Sequence, residues 1–430
     1  MEAITLLLFC GGLILCVCLA KNILFALAFG LLLFLLYGRR KGKSWTQLLP
    51  MALSGVKSVG NILVTFLLIG MLTALWRAGG TIPAIICMAA SLIRPSIFYL
   101  LAFLLNCGVS VLTGTSFGTA ATMGVICMTM ANTMGLSAVL SGGAVLSGVY
   151  FGDRCSPVST SALLVSQLTG TNIFSNLKRM VHTALPAFLL SCGIYTLFGL
   201  FGEAGALSMD VEAIFSRQFQ LHWFVLLPAV AILVLSAFQV NVKPTMLASI
   251  LLAAVSCLWI QKIPVSQLSR LLLLGYKSAD PEIAAMLTGG GILSMASVSA
   301  VVCLSSTYVG IFQGTGLLDG VQQAISRLGK RISPYGAVVC TAIAASVIAC
   351  NQTLSILLTH QLCGSLKEDS DGFAIDLEDS VVVIAPMVPW SIAGAVPLAS
   401  MGAPTASILA ACFLYLLPLS RLAERRFHMR

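Results

Sequence analysis

The sequence predicts an all-α polytopic membrane protein with roughly twelve membrane segments, arranged as two structural repeats with broken helices. Hydrophobic residues make up 58% of the 430 residues and charged residues only 9%, whereas soluble domains carry roughly 25% charged residues. The apolar stretches run for about 15–20 residues, which suits helices that cross a bilayer better than barrel strands of about 10 residues. Polar breaks interrupt some of these stretches at corresponding places in the two halves of the chain.

The apolar runs give a predicted order of segments, some of which are half-helices or interfacial pieces. The predicted runs are 3–20, 22–38, an amphipathic stretch at 44–57, 59–77, 82–93, 97–112, 119–134, 136–151, 181–201, 221–240, 244–260, 284–312, 334–350, 352–366, 380–399 and 403–420. The most polar connection starts at Glu203. We therefore divide the chain into N-terminal helices with the amphipathic segment (1–58), a first repeat (59–202), connecting helices (203–283), a second repeat (284–420) and a basic tail (421–430).

The net charge of +9 does not indicate nucleic-acid binding. Basic residues stand singly or in short groups at the ends of apolar runs, as at Arg39-Arg40-Lys41 and Arg425-Arg426. This distribution is typical of the cytoplasmic ends of membrane helices, whereas a nucleic-acid surface needs clustered bases among polar neighbours. We expect a multi-pass protein of the inner (plasma) membrane that is surrounded by lipid and has no nucleic acid as partner.

The composition also argues against an enzyme. None of the fourteen cysteines forms a CxxC pair or a Cys/His cluster with zinc spacing, and most lie inside apolar runs. Such cysteines are usually small buried hydrophobes. The sequence contains no HExxH or GxxxxGK motif, and its one GxSxG match, Gly114–Gly118, lies between two apolar segments, so we expect no catalytic constellation.

Three polar breaks divide apolar segments in a way that ordinary membrane helices do not. They lie at Thr113–Thr119 (TGTSFGT), Gly152–Ser161 (GDRCSPVSTS) and Cys350–Thr353 (CNQT). Backbone that leaves the helix at membrane depth loses internal hydrogen bonds, at several kcal/mol for each unsatisfied group. Such a break survives where it is buried in protein or lines a wet cavity, and its free carbonyls and helix ends can bind a cation or a polar substrate.

The breaks recur along the chain. Thr115-Ser116 and Asn351-Gln352 lie 236 residues apart, and a proline-containing segment follows each break, at Pro157 and at Pro386. Interrupted segments at matching positions of two halves indicate a transporter site between repeats. A coincidence between small-residue packing motifs is the alternative. The pattern favours a secondary transporter over a channel or a membrane scaffold, since one chain contains two different halves rather than one ring-forming unit.

Several strings of this sequence resemble the NhaC-type sodium/proton antiporter family. They are Gly114–Thr119, Ser147–Ser159, Leu377–Ser380, Val388–Ser391 and Met401–Thr405. The resemblance extends from about residue 70 to about residue 410. It implies a cation-coupled antiporter with Na⁺, H⁺ or both as coupling ion and no other cofactor. The family includes members that exchange organic anions and members that take up amino acids.

This chain departs from the family pattern at two positions. Thr160 stands where the family usually has an aspartate, and Asn351 stands where it usually has the aspartate of an aspartate-glutamine pair. An amide oxygen can bind sodium or an amino-acid backbone but cannot carry a proton at neutral pH. Two functions therefore stay open: sodium/proton exchange, and sodium- or proton-coupled transport of an amino acid or small organic anion. The solute and the oligomeric state stay open too, a homodimer included.

The strongest candidate site residue is Asp153, because few acids lie near the predicted membrane and a carboxylate beside a break can bind a cation or relay a proton. Pairing with Arg154, or capping of the next helix, is the alternative. Asp153 and Asn351 are the possible sodium ligands. Asp379 and Trp390 each have a structural alternative, as a helix-end charge and as an interfacial anchor. The predicted site consists of Thr115, Ser116, Thr119, Asp153, Ser156, Ser159, Thr160, Asn351, Gln352, Asp379, Trp390 and Ser391.

Overall fold

The computed structural model describes residues 2–18, 23–58, 60–90, 94–157, 159–201, 211–238, 240–315, 317, 333–366 and 369–428. Every regular element in these ranges is a helix, and they contain no β-strand. The prediction of an all-helical fold is confirmed for this part of the chain. The start of the predicted polar connection, Glu203, lies outside it.

Serine and glycine residues set many of the helix ends. Ser159 and Ser391 each accept a backbone N–H of the following helix on their hydroxyl, and Gly170 and Gly402 end helices in the left-handed conformation. In chain order the α-helices are α1 (Glu2–Cys18), α2 (Ile23–Arg40), α3 (Trp45–Ser58), α4 (Gly60–Ala78), α5 (Thr81–Ala90), α6 (Phe98–Thr113), α7 (Ser116–Thr119), α8 (Val125–Thr133), α9 (Ala138–Arg154), α10 (Thr160–Thr169), α11 (Ile173–Phe201), α12 (Val211–Ser216), α13 (Leu227–Ala237), α14 (Val242–Val255), α15 (Val265–Leu274), α16 (Pro281–Leu287), α17 (Ala296–Thr315), α18 (Pro334–Ala349), α19 (Gln352–Cys363), α20 (Ser370–Glu378), α21 (Val381–Ile384), α22 (Ile392–Met401) and α23 (Cys412–His428).

Several helices are long and apolar enough to cross a membrane. In the described residues five qualify alone, and two further pairs qualify together but bend by 63° and 57° at a break. The five are Pro95–Thr113, Ile173–Phe201, Lys243–Ile260, Ile292–Phe312 and Thr405–Arg425, and the bent pairs are Leu63–Ala78 with Thr81–Met88 and Ser370–Met387 with Ile392–Met401. These seven candidate spans in the described residues are fewer than the roughly twelve predicted, because many of the predicted segments are short or broken helices. The count of twelve and the two-repeat arrangement stay predictions.

Helices α6 and α9 pack closely, and this contact positions one side of the site. Gly148 allows the approach, since a methyl group on it would lie 2.5 Å from the Phe103 carbonyl oxygen. One turn later Gly152 lies against Ser110, and the Ser110 hydroxyl donates to the Val149 carbonyl at 2.6 Å. Small residues at such a crossing let two backbones approach as membrane helices commonly do. The end of α6 is therefore fixed against the helix that ends in Asp153-Arg154.

The N-terminal helices pack on α17 in the second half. Gly55 of α3 lies against the backbone at Ser306, and the Tyr308 hydroxyl donates to the Leu27 carbonyl. Phe34 and Tyr308 meet edge to face with ring centroids 5.0 Å apart, an arrangement that aromatic pairs favour. These two rings belong to an apolar cluster that also contains Cys350 and Trp390.

Candidate ion-binding site

The first break separates α6 from α7. Helix α6 ends at Gly114, which has a left-handed backbone (φ 63°) and donates its N–H to the Ser110 carbonyl at 2.8 Å. Thr115 then adopts an extended conformation (φ −145°, ψ 126°), and its hydroxyl accepts the Gly118 N–H at 2.9 Å. The next helix therefore starts at Ser116 with its first amide groups facing the break. A π-helical turn at Ala120–Gly124 continues it into α8.

The break at Cys350–Thr353, between α18 and α19, repeats this geometry and is called the second break from here on. Cys350 is left-handed (φ 55°) and donates its N–H to the Ser346 carbonyl at 3.3 Å. Asn351 is extended (φ −148°, ψ 131°), and its side-chain oxygen accepts the N–H groups of Thr353 and Leu354 at 2.9 and 3.4 Å. The left-handed conformation costs a non-glycine residue roughly 1–2 kcal/mol. Its presence at Cys350 shows that surrounding contacts enforce the break.

The two breaks meet at Asp153. The Asp153 side chain is 3% exposed, and its carboxylate accepts hydrogen bonds from the hydroxyls of Ser159 and Ser161 at 3.3 and 3.0 Å. The Gln352 amide nitrogen lies 3.4 Å from the same carboxylate and also donates to the Val382 carbonyl at 3.0 Å. Two polar segments that are far apart in sequence thus converge on one carboxylate from opposite halves of the chain.

A polar cavity of about 570 Å³ opens beside this carboxylate. Ten of its fourteen lining residues have a carboxylate, hydroxyl, amide or ammonium group, and the other four are apolar. The lining residues are Thr65, Thr115, Ser116, Phe117, Asp153, Thr160, Asn241, Lys243, Pro244, Asn351, Gln352, Thr353, Ile392 and Ala393. The cavity is much larger than a bare ion requires, since one water in the liquid occupies about 30 Å³. The described residues contain no cluster of three or more His, Cys, Asp or Glu side chains that could hold a metal ion.

Six of the twelve predicted site residues line this cavity: Thr115, Ser116, Asp153, Thr160, Asn351 and Gln352. The other six do not line it. The Thr119 hydroxyl bonds to the hydroxyl of Thr113 at 2.9 Å and holds the first break. The Ser156 hydroxyl donates to the Val111 carbonyl at 2.7 Å. Ser159 and Ser391 cap α10 and α22.

Trp390 lies behind the second break rather than in the cavity. Its indole N–H donates to the Val347 carbonyl at 3.1 Å, and its ring is buried in an apolar cluster. Directly after it, the Ile392 N–H donates to the Cys350 carbonyl at 2.9 Å, so the start of α22 is bonded to the left-handed residue of the break. The segment from Trp390 to Ile392 therefore supports the backbone of the second break.

Asp379 occupies a buried ion pair away from the cavity lining. Its carboxylate binds the guanidinium of Arg154, and both side chains are 0% exposed. Arg154 also donates to the Met180 carbonyl and to the Thr183 hydroxyl, each at 2.8 Å. Asp153 and Arg154 are adjacent in sequence, but the acid that Arg154 binds is Asp379. The pair joins α9 and α11 to the end of α20.

The last helix extends this ion-pair cluster. Arg421 lies 3.6 Å from Asp379, and Arg425 donates to both oxygens of Asp376 at 2.8 and 3.0 Å. Helix α23 runs to His428, so it continues through the first residues of the predicted basic tail. Arg421 and Arg425 of this helix bind acids of α20 and its end, which ties the C-terminal helix to the second half.

Glu378 is a buried acid that the sequence-based site does not include. Its side chain is 0% exposed, and neither carboxyl oxygen has a hydrogen-bond partner. Arg154, Asp379 and Asp153 lie within electrostatic reach of it. The sequence does indicate a buried acid here, because the string Leu377–Ser380 (LEDS) places two adjacent acids within a largely apolar segment. Periodicity alone does not distinguish which of two adjacent acids has a partner.

Comparison with known proteins shows which family the chain belongs to. The sequence pattern that defines the Na⁺/H⁺ antiporter family matches residues 148–422, well over half of the chain. The chain is 26% identical over 400 residues to the Na⁺/H⁺ antiporter NhaC of Alkalihalophilus pseudofirmus, covering 90% of this chain and 86% of that protein.

Two other relatives carry different names. The malate-2H⁺/Na⁺-lactate antiporter of Bacillus subtilis is 28% identical over 393 residues, which covers 87% of this chain and 82% of the relative. The arginine/ornithine antiporter ArcD of Halobacterium salinarum is 28% identical over 384 residues, which covers 86% and 79%. The matched residues 148–422 include Asp153, the second break and the buried ion pair. The resemblance noted from sequence is confirmed: this chain is a multi-pass membrane transporter that belongs to the Na⁺/H⁺ antiporter family.

Proposed function

We propose that this chain exchanges Na⁺ for H⁺ across the plasma membrane and binds sodium in the cavity between the two helix breaks. The observation that carries the proposal is the position of Asp153, a buried carboxylate beside an oxygen-rich cavity where both breaks meet. An ionisable group at membrane depth is costly and usually functional. Family membership supports the exchange reaction, and the geometry supports the location of the site.

The donor groups suit a hard cation. Hard cations prefer carboxylate, carbonyl, hydroxyl and water oxygens, and the cavity presents the Asp153 carboxylate with the hydroxyls of Thr115, Ser116 and Thr160. We propose Asp153 as the charged ligand. Asn351 is a further proposed ligand, although its side-chain oxygen already accepts two backbone N–H groups. Its main contribution is then to hold the second break in shape.

We also propose that the two breaks belong to two structural repeats of a roughly twelve-segment fold. The matching order of a left-handed residue, an extended capping residue and a new helix supports this arrangement. In transporters of this kind, movement of one repeat against the other opens a central site to each side in turn. The five-part division, the plasma-membrane location and a homodimer belong with this proposal.

A second candidate function is coupled transport of an amino acid or small organic anion. The cavity of about 570 Å³ is larger than sodium needs, and Lys243 lines it together with Asp153. A lysine ammonium repels a cation and attracts a carboxylate. Thr160 and Asn351 are neutral groups that can bind an organic solute by hydrogen bonds. The names of the malate/lactate and arginine/ornithine relatives are consistent with this alternative.

Transport by the purified chain in proteoliposomes distinguishes these functions. A pH-sensitive dye is enclosed in the vesicles and sodium is added outside. Sodium/proton exchange predicts a sodium-dependent rise of internal pH, its loss in Asp153→Asn, and its retention in Asp371→Asn, which changes an exposed acid paired with Arg179. If wild-type vesicles show no proton movement while a carboxylic or amino acid stabilises the protein only with sodium present, the second function replaces the first.

A further inference from the structure

Glu378 is placed to take part in the exchange reaction without lining the cavity. It is the last residue of α20, and the chain turns at Ser380 (φ −121°, ψ −85°) before α21 begins. The Glu378 side chain is 0% exposed, and both of its carboxyl oxygens lack a hydrogen-bond partner. A buried carboxyl group with no donor is unusual, since nearly all buried polar atoms in proteins are hydrogen-bonded.

The charges around Glu378 are largely paired with one another. Helices α10, α11, α18, α19 and α21 pack on α20, and Arg425 of α23 binds Asp376 on its surface. Within the described residues, the charged groups in electrostatic reach of the Glu378 carboxyl are Arg154, Asp379 and Asp153. Arg154 is already bonded to Asp379, so these two charges largely offset each other. The remaining charge within electrostatic reach of Glu378 is the carboxylate at the cavity, Asp153.

An ionised carboxylate in this position is unfavourable. Burying a charge without hydrogen-bond donors costs several kcal/mol, whereas a neutral carboxyl group costs less. A second negative charge at Asp153 adds repulsion, which is weakly screened in the interior. The neutral, protonated carboxyl is therefore the form that fits this conformation of the protein.

We infer that Glu378 carries the proton that is exchanged for the sodium bound at Asp153. This inference rests on the proposed Na⁺/H⁺ exchange. Sodium at Asp153 places a positive charge within electrostatic reach of Glu378 and favours its ionised form, and by reciprocal linkage a protonated Glu378 weakens sodium binding. In the release step the O–H bond of Glu378 breaks, its electron pair stays on the carboxylate, and the proton passes to water. Because Glu378 is fully buried here, release requires a conformation in which the turn at Ser380 admits water.

The test uses the full chain in proteoliposomes and in detergent. Glu378→Gln keeps the size of the side chain but cannot release a proton. We expect it to lose sodium-driven proton flux at least tenfold while exchanging ²²Na⁺ for unlabelled Na⁺ near the wild-type rate. The matched control is Asp376→Asn, which removes an acid of the same helix that is paired with Arg425; it should keep proton flux.

The pH dependence of sodium binding gives a second readout. In wild type at acid pH, loss of one linked proton should change the apparent Kd for sodium by about tenfold per pH unit, and Glu378→Gln should remove that one-proton component. Unchanged proton flux or an unchanged pH slope in Glu378→Gln overturns the inference. If wild type itself moves no protons with sodium, the proposed exchange fails instead. Should Glu378→Gln not fold, Glu378→Asp replaces it: a shifted pH profile supports the inference, and a wild-type profile overturns it.

Discussion

Replacing Arg154 by methionine tests whether the buried ion pair with Asp379 holds the site together. The methionine removes the cation but retains much of the apolar stem that fills the interior. Asp379 would then keep a hydrogen bond from the Thr183 hydroxyl at 3.2 Å and the Arg421 guanidinium at 3.6 Å. The opposite change, Asp379→Asn, leaves the Arg154 charge with the Met180 carbonyl and the Thr183 hydroxyl as acceptors.

The expected magnitude follows from burial. Removing one partner of a buried ion pair costs about 3–5 kcal/mol, because the other charge stays buried and uncompensated. Since Arg421 can take over part of the interaction with Asp379, we expect about 3 kcal/mol for Arg154→Met and up to about 5 kcal/mol for Asp379→Asn. The double variant Arg154→Met with Asp379→Asn contains neither charge, so we expect it to be more stable than the sum of the two single effects predicts.

The assay is equilibrium unfolding of the purified protein in mixed micelles, followed by tryptophan fluorescence. The control is Arg179→Met, which removes one partner of an exposed pair whose side chains are 48% and 42% exposed. Exposed pairs contribute about 0–1 kcal/mol. The reasoning is refuted if Arg154→Met costs no more than Arg179→Met, or if the effects of the two buried substitutions simply add in the double variant.

Three further predictions concern the breaks and the helix contact that supports them. Gly152→Val should destabilise the protein by about 1–3 kcal/mol in the same unfolding assay, because its side chain would overlap Ser110 of α6; wild-type stability would contradict the packing. Gly114→Ala should cost about 1 kcal/mol, because alanine is unfavourable at the left-handed end of α6; an increase in unfolding free energy would argue against this conformation. Thr160→Asp adds a carboxylate at an exposed position on the cavity wall. It should tighten sodium binding about fivefold, or about 1 kcal/mol, in a radioligand titration; weaker binding would place the ion elsewhere.

The sequence predicted the polar breaks well. Both Thr115 and Asn351 are the extended capping residues at which a new helix starts, as their short polar side chains favour. Polar residues between apolar halves are informative because a membrane protein tolerates a break in a helix only where it is buried in protein or lines a water-filled cavity. Prediction was also close for long apolar helices, such as Phe98–Thr113 and Pro334–Ala349.

The partners of the buried charges could not be predicted. Asp153 and Arg154 are adjacent, but successive side chains of a helix point about 100° apart. In the structure the Asp153 carboxylate lies at the cavity, whereas the Arg154 side chain binds Asp379. Only the tertiary arrangement decides such pairings, because the partners are 225 residues apart. The same limitation explains why Glu378, one residue from Asp379, was not selected from the sequence.

Two short helices, α10 and α15, were also missed. Helices α10 and α15 contain alternating polar and apolar residues and are only ten residues long, so an apolar-run criterion does not find them. The predicted run 284–312 is interrupted by three glycines, Gly289 to Gly291, that all have positive φ angles. They turn the chain against α4, where the Gly291 N–H donates to the Gly70 carbonyl at 2.8 Å.

The central claim is that one sodium ion binds beside Asp153 between the two breaks. Equilibrium binding of ²²Na⁺ to the purified protein, measured at a pH where wild type binds sodium, tests it most directly. The account predicts saturable binding of one ion by wild type and by Asp371→Asn, and no saturable binding by a folded Asp153→Asn variant. Binding of ²²Na⁺ by Asp153→Asn with the wild-type affinity would contradict the account and place the ion at another site.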